Sequence, residues 1–311
     1  MRLHSPQKKA YLLAFVAILF WSTMSSAFKL TLDTMPFDIM LFWSALFGFL
    51  SLTAYNQLSV NRIKLKRITL PQWRRSAIMG FFNPFLYYLV LFKAYQLLEA
   101  QLAGTLNYLW PIVLVLLSGI ILKQHIRWIS YLALLISFSG LMIISTKGNL
   151  NLAQIDQPLG VILAAGSAII WALYWILNMK DAREDTGKIA LNLFFGLIYL
   201  IIYLGLNSIN PIPENGWGLL GCLYIGLFEM SLTFVIWLKA LNFSENTAKV
   251  SNLIYLSPFI GLFFIRLLVG EPILLSTIVG LAVIVAGILI QQWPAKNQQK
   301  ANKEHTDIHH K

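Results

Sequence analysis

Along the chain, polar residues gather in short clusters that separate long and nearly uncharged apolar runs. A helix needs about 17–25 predominantly apolar residues to span a bilayer. On that measure the pattern predicts ten spans, at about 10–30, 37–55, 76–95, 98–122, 127–146, 158–178, 188–207, 216–238, 246–269 and 272–292. The first run, Ala10–Phe28, is too long for a signal-peptide core and no small-residue cleavage site follows it, so it is expected to be a retained helix. The tail from Pro294 to Lys311 is polar.

The runs also repeat. Gly80-Phe-Phe-Asn83 matches Gly226-Leu-Phe-Glu229, and Lys93-Ala94 matches Lys239-Ala240, at an offset of 146. At an offset of 147, Tyr108-Leu-Trp-Pro111 matches Tyr255-Leu-Ser-Pro258, Gln124 matches Glu271, and Gly140 matches Gly287. Trp21 pairs with Trp171 at an offset of 150. The expected organisation is therefore a first repeat over 1–147, a second over 156–292, and a cytoplasmic tail over 293–311. Five helices per repeat is an odd number, so the second repeat enters the membrane from the opposite side. Inverted repeats place a substrate site near the midplane, where the halves meet.

Composition points the same way. The 311 residues are 58% hydrophobic and 12% charged, against roughly 45–50% and 25% in soluble domains. A soluble surface needs those missing charges, so the solvent around most of the chain is lipid. The net charge of +11 sits in short loops with no continuous basic face, which argues against a nucleic-acid partner. With the N-terminus inside, 20 Lys and Arg fall on the inner side, and only Lys29, Lys93, Lys147 and Arg266 on the outer. The positive-inside rule then places both termini in the cytoplasm. Cys222 is the single cysteine, which excludes an intrachain disulfide.

Several segments resemble the drug/metabolite transporter superfamily. They are Phe20-Trp21, Asn107-Tyr-Leu-Trp-Pro111, Ile170-Trp171-Ala172, Gly226-Leu-Phe-Glu-Met230 and Ser251-Asn-Leu-Ile-Tyr-Leu-Ser-Pro258. The closer likeness is to the EamA type, and within it to the YddG-like aromatic amino acid exporters, over about residues 10–292. The resemblance implies an all-α integral membrane fold of ten helices, two inverted five-helix repeats around a central cavity, and export of amino acids or other metabolites. One departure is Gln124, where members usually carry Glu; the second half keeps Glu271.

Candidate site residues follow from polarity and depth. Trp21, Trp110, Trp171 and Trp175 fall in mid-span, whereas Trp43, Trp73, Trp128, Trp217, Trp237 and Trp293 lie near span ends, where interfacial tryptophans gather. An apolar cavity with a few polar tips suits a flat, partly apolar ligand. Trp21, Asn83, Tyr87, Asn107, Tyr108, Trp110, Trp171 and Tyr255 are the expected substrate-binding set. Ordinary helix packing and interhelical hydrogen bonding are the plainer alternatives, and weigh more for Tyr88 and Trp175. Glu229 is the one carboxylate placed well inside a span; such residues are costly and mark ion pathways. It is the candidate coupling residue, with a neutral structural carboxyl as the alternative. Pro111 and Pro258 fall inside spans at matched positions and are candidate hinges, or else packing kinks. Gly280 and Gly287, with Ala133 and Gly140 as their equivalents, form small faces that pair within the chain or between two copies.

Other classes fit less well. The six Asp are scattered through loops and tails, no His lies in mid-span, and Gly-x-Ser-x-Gly and Walker motifs are absent. Neither an enzyme nor a cofactor is expected. A non-transporting scaffold would not need matched prolines. The reading is a secondary transporter in the inner (plasma) membrane, monomer or homodimer, with a small-molecule substrate. Aromatic amino acids are the first choice; other metabolites or drug-like cations are the alternative. Single cysteines placed at Lys66, Lys188 and Lys303 should be shielded from an impermeant thiol reagent in intact cells, and those at Asp33, Asn149 and Asn215 should react. Reaction at Lys188 without reaction at Asn149 would overturn the orientation.

Overall fold

The computed structural model describes residues 6–58, 68–123, 126, 128–149, 157–181, 183–214, 216–244, 250 and 252–292, with the backbone only at 179, 252 and 292. The described residues contain helices and no strand. In chain order the α-helices are α1 (Pro6–Leu32), α2 (Phe37–Leu58), α3 (Leu70–Gly80), α4 (Tyr87–Leu97), α5 (Ala100–Asn107), α6 (Trp110–Ile121) and α7 (Trp128–Ser145). They continue with α8 (Pro158–Met179), α9 (Asp185–Leu206), α10 (Gly218–Phe228), α11 (Leu232–Phe243), α12 (Ser257–Phe264) and α13 (Leu275–Gln292).

Eight helical stretches are long and apolar enough to cross a membrane, counting α3–α4, α5–α6 and α10–α11 as one interrupted stretch each. They correspond to the first eight predicted spans. The ninth and tenth fall on two shorter apolar helices, Leu253–Val269 and Leu275–Gln291. Large apolar side chains such as Leu135, Phe138, Ile201, Leu206 and Phe263 face outward, which in water would be unfavourable and in lipid is not.

The interruptions lie at repeat-matched places or within two residues of them. Between α3 and α4 a π-helical turn, Phe81–Leu86, holds Pro84 and an extended Asn83 (φ −148°, ψ 119°). Between α10 and α11, Ser231 is non-helical (φ −139°, ψ −85°). Asn107 ends α5, and Trp110 with Pro111 opens α6. A 3-10 turn, Asn252–Leu256, precedes Ser257-Pro258 at the start of α12. Pro111 and Pro258 thus occupy first turns, where the missing N–H costs nothing, rather than the helix interiors expected of kinking prolines.

The continuous helices hold the broken ones. α1 packs along α10, α11 and α12, and α8 packs along α4, α5 and α6. α2 lies on α10, and α9 lies on α3 and the π turn. Two glycines make the latter contacts close. A Cβ at Gly80 would come within 2.5 Å of the Asn192 carbonyl oxygen, and one at Gly226 within 2.5 Å of the Ser44 carbonyl oxygen.

Helix ends are sealed by side chains. Glu184 accepts from the Gly187 amide at 2.8 Å at the start of α9. Glu271 accepts from the Ala100 and Gln101 amides at 2.8 and 3.2 Å, sealing the start of α5. Lys29 donates to the carbonyls of Tyr95 and Leu98 at the end of α4. Gln124, the match of Glu271, and Lys249 lie outside the described residues. Lys188, expected to be a loop charge, is buried; its Nζ pairs with Asp185 at 2.6 Å and donates to the Asp181 carbonyl at 3.1 Å. A label at Lys188 would be hindered by packing, and the exposed Lys180 is the better reporter for that end.

The small-residue faces pair within the chain. α7 packs along α13, with Gly140 against the Gly280 carbonyl, Gly287 against the Ala133 carbonyl, and Ser137 Oγ donating to the Ile284 carbonyl at 3.2 Å. Gly140→Val should force the two helices apart. Overpacking of this kind costs about 1–3 kcal/mol, to be read as a lower melting temperature in detergent. An unchanged melting curve would mean that this contact contributes little.

Candidate functional site

A cavity of about 360 Å3 lies among α1, α4, α5–α6, α8, α11 and the 3-10 turn. It falls in the roughly 300–1,000 Å3 range of small-molecule sites. Trp21, Tyr87, Asn107, Tyr108, Trp110, Trp171 and Tyr255 all line it, together with Glu229. Of the expected set only Asn83 lies elsewhere. Its extended backbone in the π turn places it on a smaller neighbouring cavity with Tyr174, Asn178 and Asn192. Pro258 lines a third small cavity with Ser22 and Ser257, and Pro111 is buried. The side chain of Asn252 lies outside the described residues.

The aromatic rings divide into two kinds. Trp171 is stacked on Tyr87 (4.6 Å between centroids, 24°) and on Tyr174 (5.5 Å, 20°), and meets Trp175 edge-on at 5.7 Å. Trp21 meets Phe234 and Trp237 edge-on at 5.8 and 5.5 Å. These rings are wall, fixed by their neighbours. Trp110 and Tyr108 are half-buried and have no ring partner among the described residues. They are the faces left for a ligand to stack on.

Polar groups are few and mostly tied down. Tyr87 Oη donates to Asn107 Oδ1 at 3.2 Å, and Asn107 Nδ2 donates to Ser167 Oγ at 2.8 Å. Ser25 and Tyr95 share a hydroxyl bond of 2.6 Å. Glu229 caps α10 with its amide on the Ile225 carbonyl at 2.8 Å, and its Oε1 accepts from Tyr88 Oη at 3.0 Å. Ser231 Oγ shares its proton between the Gly226 and Leu227 carbonyls at 2.8 and 2.9 Å, resealing this break, and accepts from Ser51 at 2.7 Å. Among the described residues no Lys, Arg or His lines the cavity. Among the described residues no cluster of His, Cys, Asp and Glu is placed to hold a metal.

The model of the EamA-like transporter family matches residues 8–146 and again 158–291. The chain belongs to that family. Among similar proteins, an uncharacterized transporter, YvbV, of Bacillus subtilis is 26% identical over 297 residues, covering 94% of each chain. The aromatic amino acid exporter YddG of Ancylobacter novellus is 27% identical over 186 residues, covering 59% of this chain and 63% of that one. A solved crystal structure superposes with a TM-score of 0.65 at 21% identity, over 92% of this chain and 96% of the other, a likeness of fold. The protein is thus a multi-pass membrane protein of an EamA transporter family, whose members act on small molecules across a bilayer.

Within this EamA protein the sequence reading missed some lining residues. Trp237, assigned to the membrane interface, lines the cavity edge-on to Trp21. Phe234 bridges the Trp21 and Trp171 clusters. Tyr88, set aside as packing, is the hydrogen-bond donor to Glu229. The signal for Phe234 and Trp237 was present: they are three apart in one helix and so share a face. Trp110→Ala should weaken substrate affinity by about twofold to tenfold, the equivalent of ~0.5–1.5 kcal/mol for one aromatic contact, with expression unaffected. Unchanged transport kinetics in both Trp110→Ala and Tyr108→Ala would remove these rings from the site.

Proposed function

We propose that this protein is a secondary transporter that exports aromatic amino acids across the inner (plasma) membrane by alternating access. The observation that carries this is the cavity itself: two unstacked rings, Trp110 and Tyr108, face a space whose described lining includes the Glu229 carboxyl and no basic side chain. An aromatic amino acid would stack its ring there, set its ammonium toward Glu229, and set its carboxylate toward the half-helix start at Trp110. Half-helix N-termini receive substrate carboxylates in other transporters built from broken helices.

The architecture proposed with it is ten spanning helices in two inverted repeats, 1–147 and 156–292, with both termini cytoplasmic and 293–311 as the tail. The exchange of partners between halves supports it. The break at Ser231 lies two residues beyond the match of Asn83, and those beside Pro111 and Pro258 lie at matched positions. They are the natural hinges, since half-helices meeting at a break can turn without losing ladder hydrogen bonds. One chain lines the whole cavity, so a monomer suffices for transport.

A second reading has support from one observation. A cavity with a carboxyl and aromatic faces but, among the described residues, no cationic side chain also suits an aromatic amine without a carboxylate. Efflux from loaded cells, with and without overexpression, separates the two: tryptophan efflux supports the first reading, tryptamine efflux without tryptophan efflux the second, and neither would overturn both.

Glu229 is the proposed coupling group. A lone charge deep in a bilayer is costly unless paired, and no ion pair involves Glu229 among the described residues. A carboxyl that takes a proton in one access state and releases it in the other would exchange protons against exported substrate. Glu229→Gln should therefore keep substrate binding and exchange but lose pH-dependent, gradient-driven transport. A Gln variant that still concentrates substrate with the normal pH profile would leave facilitated diffusion as the mechanism.

A further inference from the structure

Trp175 and Phe234 line the aromatic cavity on one side and, on the other, a second cavity of about 20 Å3. The second cavity is also lined by Asn83, Tyr88, Tyr174, Asn178 and Asn192. Four buried polar atoms around it have no partner: Oδ1 of Asn83, of Asn178 and of Asn192, and the indole N–H of Trp175. Asn178 and Asn192 are only 5% and 2% exposed. The Tyr174 hydroxyl oxygen accepts from Asn192 Nδ2 at a long 3.5 Å, which turns the Asn192 carboxamide oxygen away from it.

Each buried polar group left unpaired costs about 1–3 kcal/mol, so four such groups around one space call for an occupant. A buried water needs about 10–15 Å3 of this kind of space and two to four polar partners. The cavity therefore takes one. Water donates to carboxamide oxygens and accepts from an indole N–H. A cation would satisfy the oxygens but face the positive end of the Trp175 N–H, and among the described residues no carboxylate lines the cavity.

The cavity has polar neighbours on two sides. Along α8 and α9, Asn178 and Asn192 lead to a buried polar group. Asp181 is paired there with Arg183 at 2.5 Å, Arg183 donates to Ser76 at 2.9 Å, and Lys188 is four residues before Asn192, on the same face. In the other direction, Tyr88 donates to Glu229 at 3.0 Å.

We propose that Asn83, Asn178 and Asn192 hold a buried water that joins the Asp181–Lys188 end of α8 and α9 to Glu229 through Tyr88, giving the carboxyl a proton route separate from the substrate cavity. The proton part of this rests on the coupling role of Glu229. Glu229 takes its proton from the opposite side of the membrane while the substrate cavity is open there. On release the Glu229 carboxyl passes a proton to the Tyr88 oxygen as Tyr88 gives its own hydroxyl proton to the water, and the water passes one on to solvent at the α8–α9 end. The ionisable groups facing Glu229 are the phenols Tyr87, Tyr88 and Tyr95 of α4 and Tyr108 beyond α5. At the far end, burial works to raise the Asp181 carboxyl, but hydrogen bonds and charge from Arg183 outweigh it and hold it below the usual carboxylate range. Asp181 therefore stays ionised near neutral pH and is not the group whose titration the assay reads.

The test uses the full chain in proteoliposomes with an internal pH dye and a tryptophan gradient, tryptophan–tryptophan exchange as a control, and radiolytic labelling of Tyr174 and Trp175 by isotopically labelled water. Asn192→Leu and, independently, Asn178→Leu should each cut the labelling and slow tryptophan-coupled proton flux about tenfold, with exchange held within about twofold. Undiminished labelling in both variants would remove the water. Exchange falling in step with proton flux would make the asparagines packing residues. Coupled transport that needs sodium and loses that need in Asn192→Leu would replace the water with a cation. If wild-type protein moves no protons with tryptophan, the coupling reading and the proton route fail together, and the labelling still decides the water site.

Discussion

In hydrocarbon every backbone amide and carbonyl must find a partner inside the protein, because no water is present to supply one. That constraint makes the chain helical and decides where it can stop being helical. Among the described residues four stretches are interrupted, and at three of them the structure deals with the exposed backbone in a visible way. Ser231 reseals the carbonyls of Gly226 and Leu227. Pro111 and Pro258 sit in first turns, where they remove donors that would have had no acceptor. The remaining freedom opens onto cavities. The site lies where it does because this is the one kind of place inside a membrane where irregular backbone can persist.

Broken helices need unbroken ones to hold them, which explains the roles of α1 and α8. Each runs along the interrupted helices of the other half, and each carries a mid-helix tryptophan, Trp21 or Trp171, into the aromatic wall. The ring contacts around Trp171 are worth about 0.5–1.5 kcal/mol per pair beyond area burial. Their chief effect is geometric. They fix α8 against α4, so that Trp110 and Tyr108, mounted where α5 gives way to α6, face a wall of set shape.

The long apolar runs made the helices legible, and aromatic and polar residues in mid-span made most of the cavity lining legible, since seven of the eight expected residues line one space. What stayed hidden has identifiable causes. Pro111 and Pro258 were visible, but a proline does not announce whether it bends a helix or begins one. The break at Ser231 carries no proline at all. Trp237 was misplaced because its span was predicted to end at residue 238, whereas α11 runs to Phe243, which puts the ring well inside. Lys188 read as a loop charge because its span was predicted to start at residue 188, whereas α9 starts at Asp185, one turn earlier, which sets Asp185 beside it as an i,i+3 partner. Asn83 went to the neighbouring cavity because an extended residue in a π turn points where a helical one would not.

Asn83 and Glu229 occupy matched positions, and they are where the two halves differ most in chemistry. A pair of equivalent half-structures exchanging roles would, if identical, have two access states of equal energy, and nothing could bias one over the other. A ligand or proton shifts such a balance only by binding the two states differently. An amide at one position and a carboxyl at the other supplies that difference without disturbing the packing, because the backbone break is retained in both halves. The neutral member lines the small polar cavity and the ionisable member lines the larger aromatic one, with Tyr88 lining the first and donating to Glu229 of the second. In the proposed cycle, protonation of one side chain then acts at the junction of two broken helices, where a small change in hydrogen bonding has the longest lever arm on the half-helices above and below it.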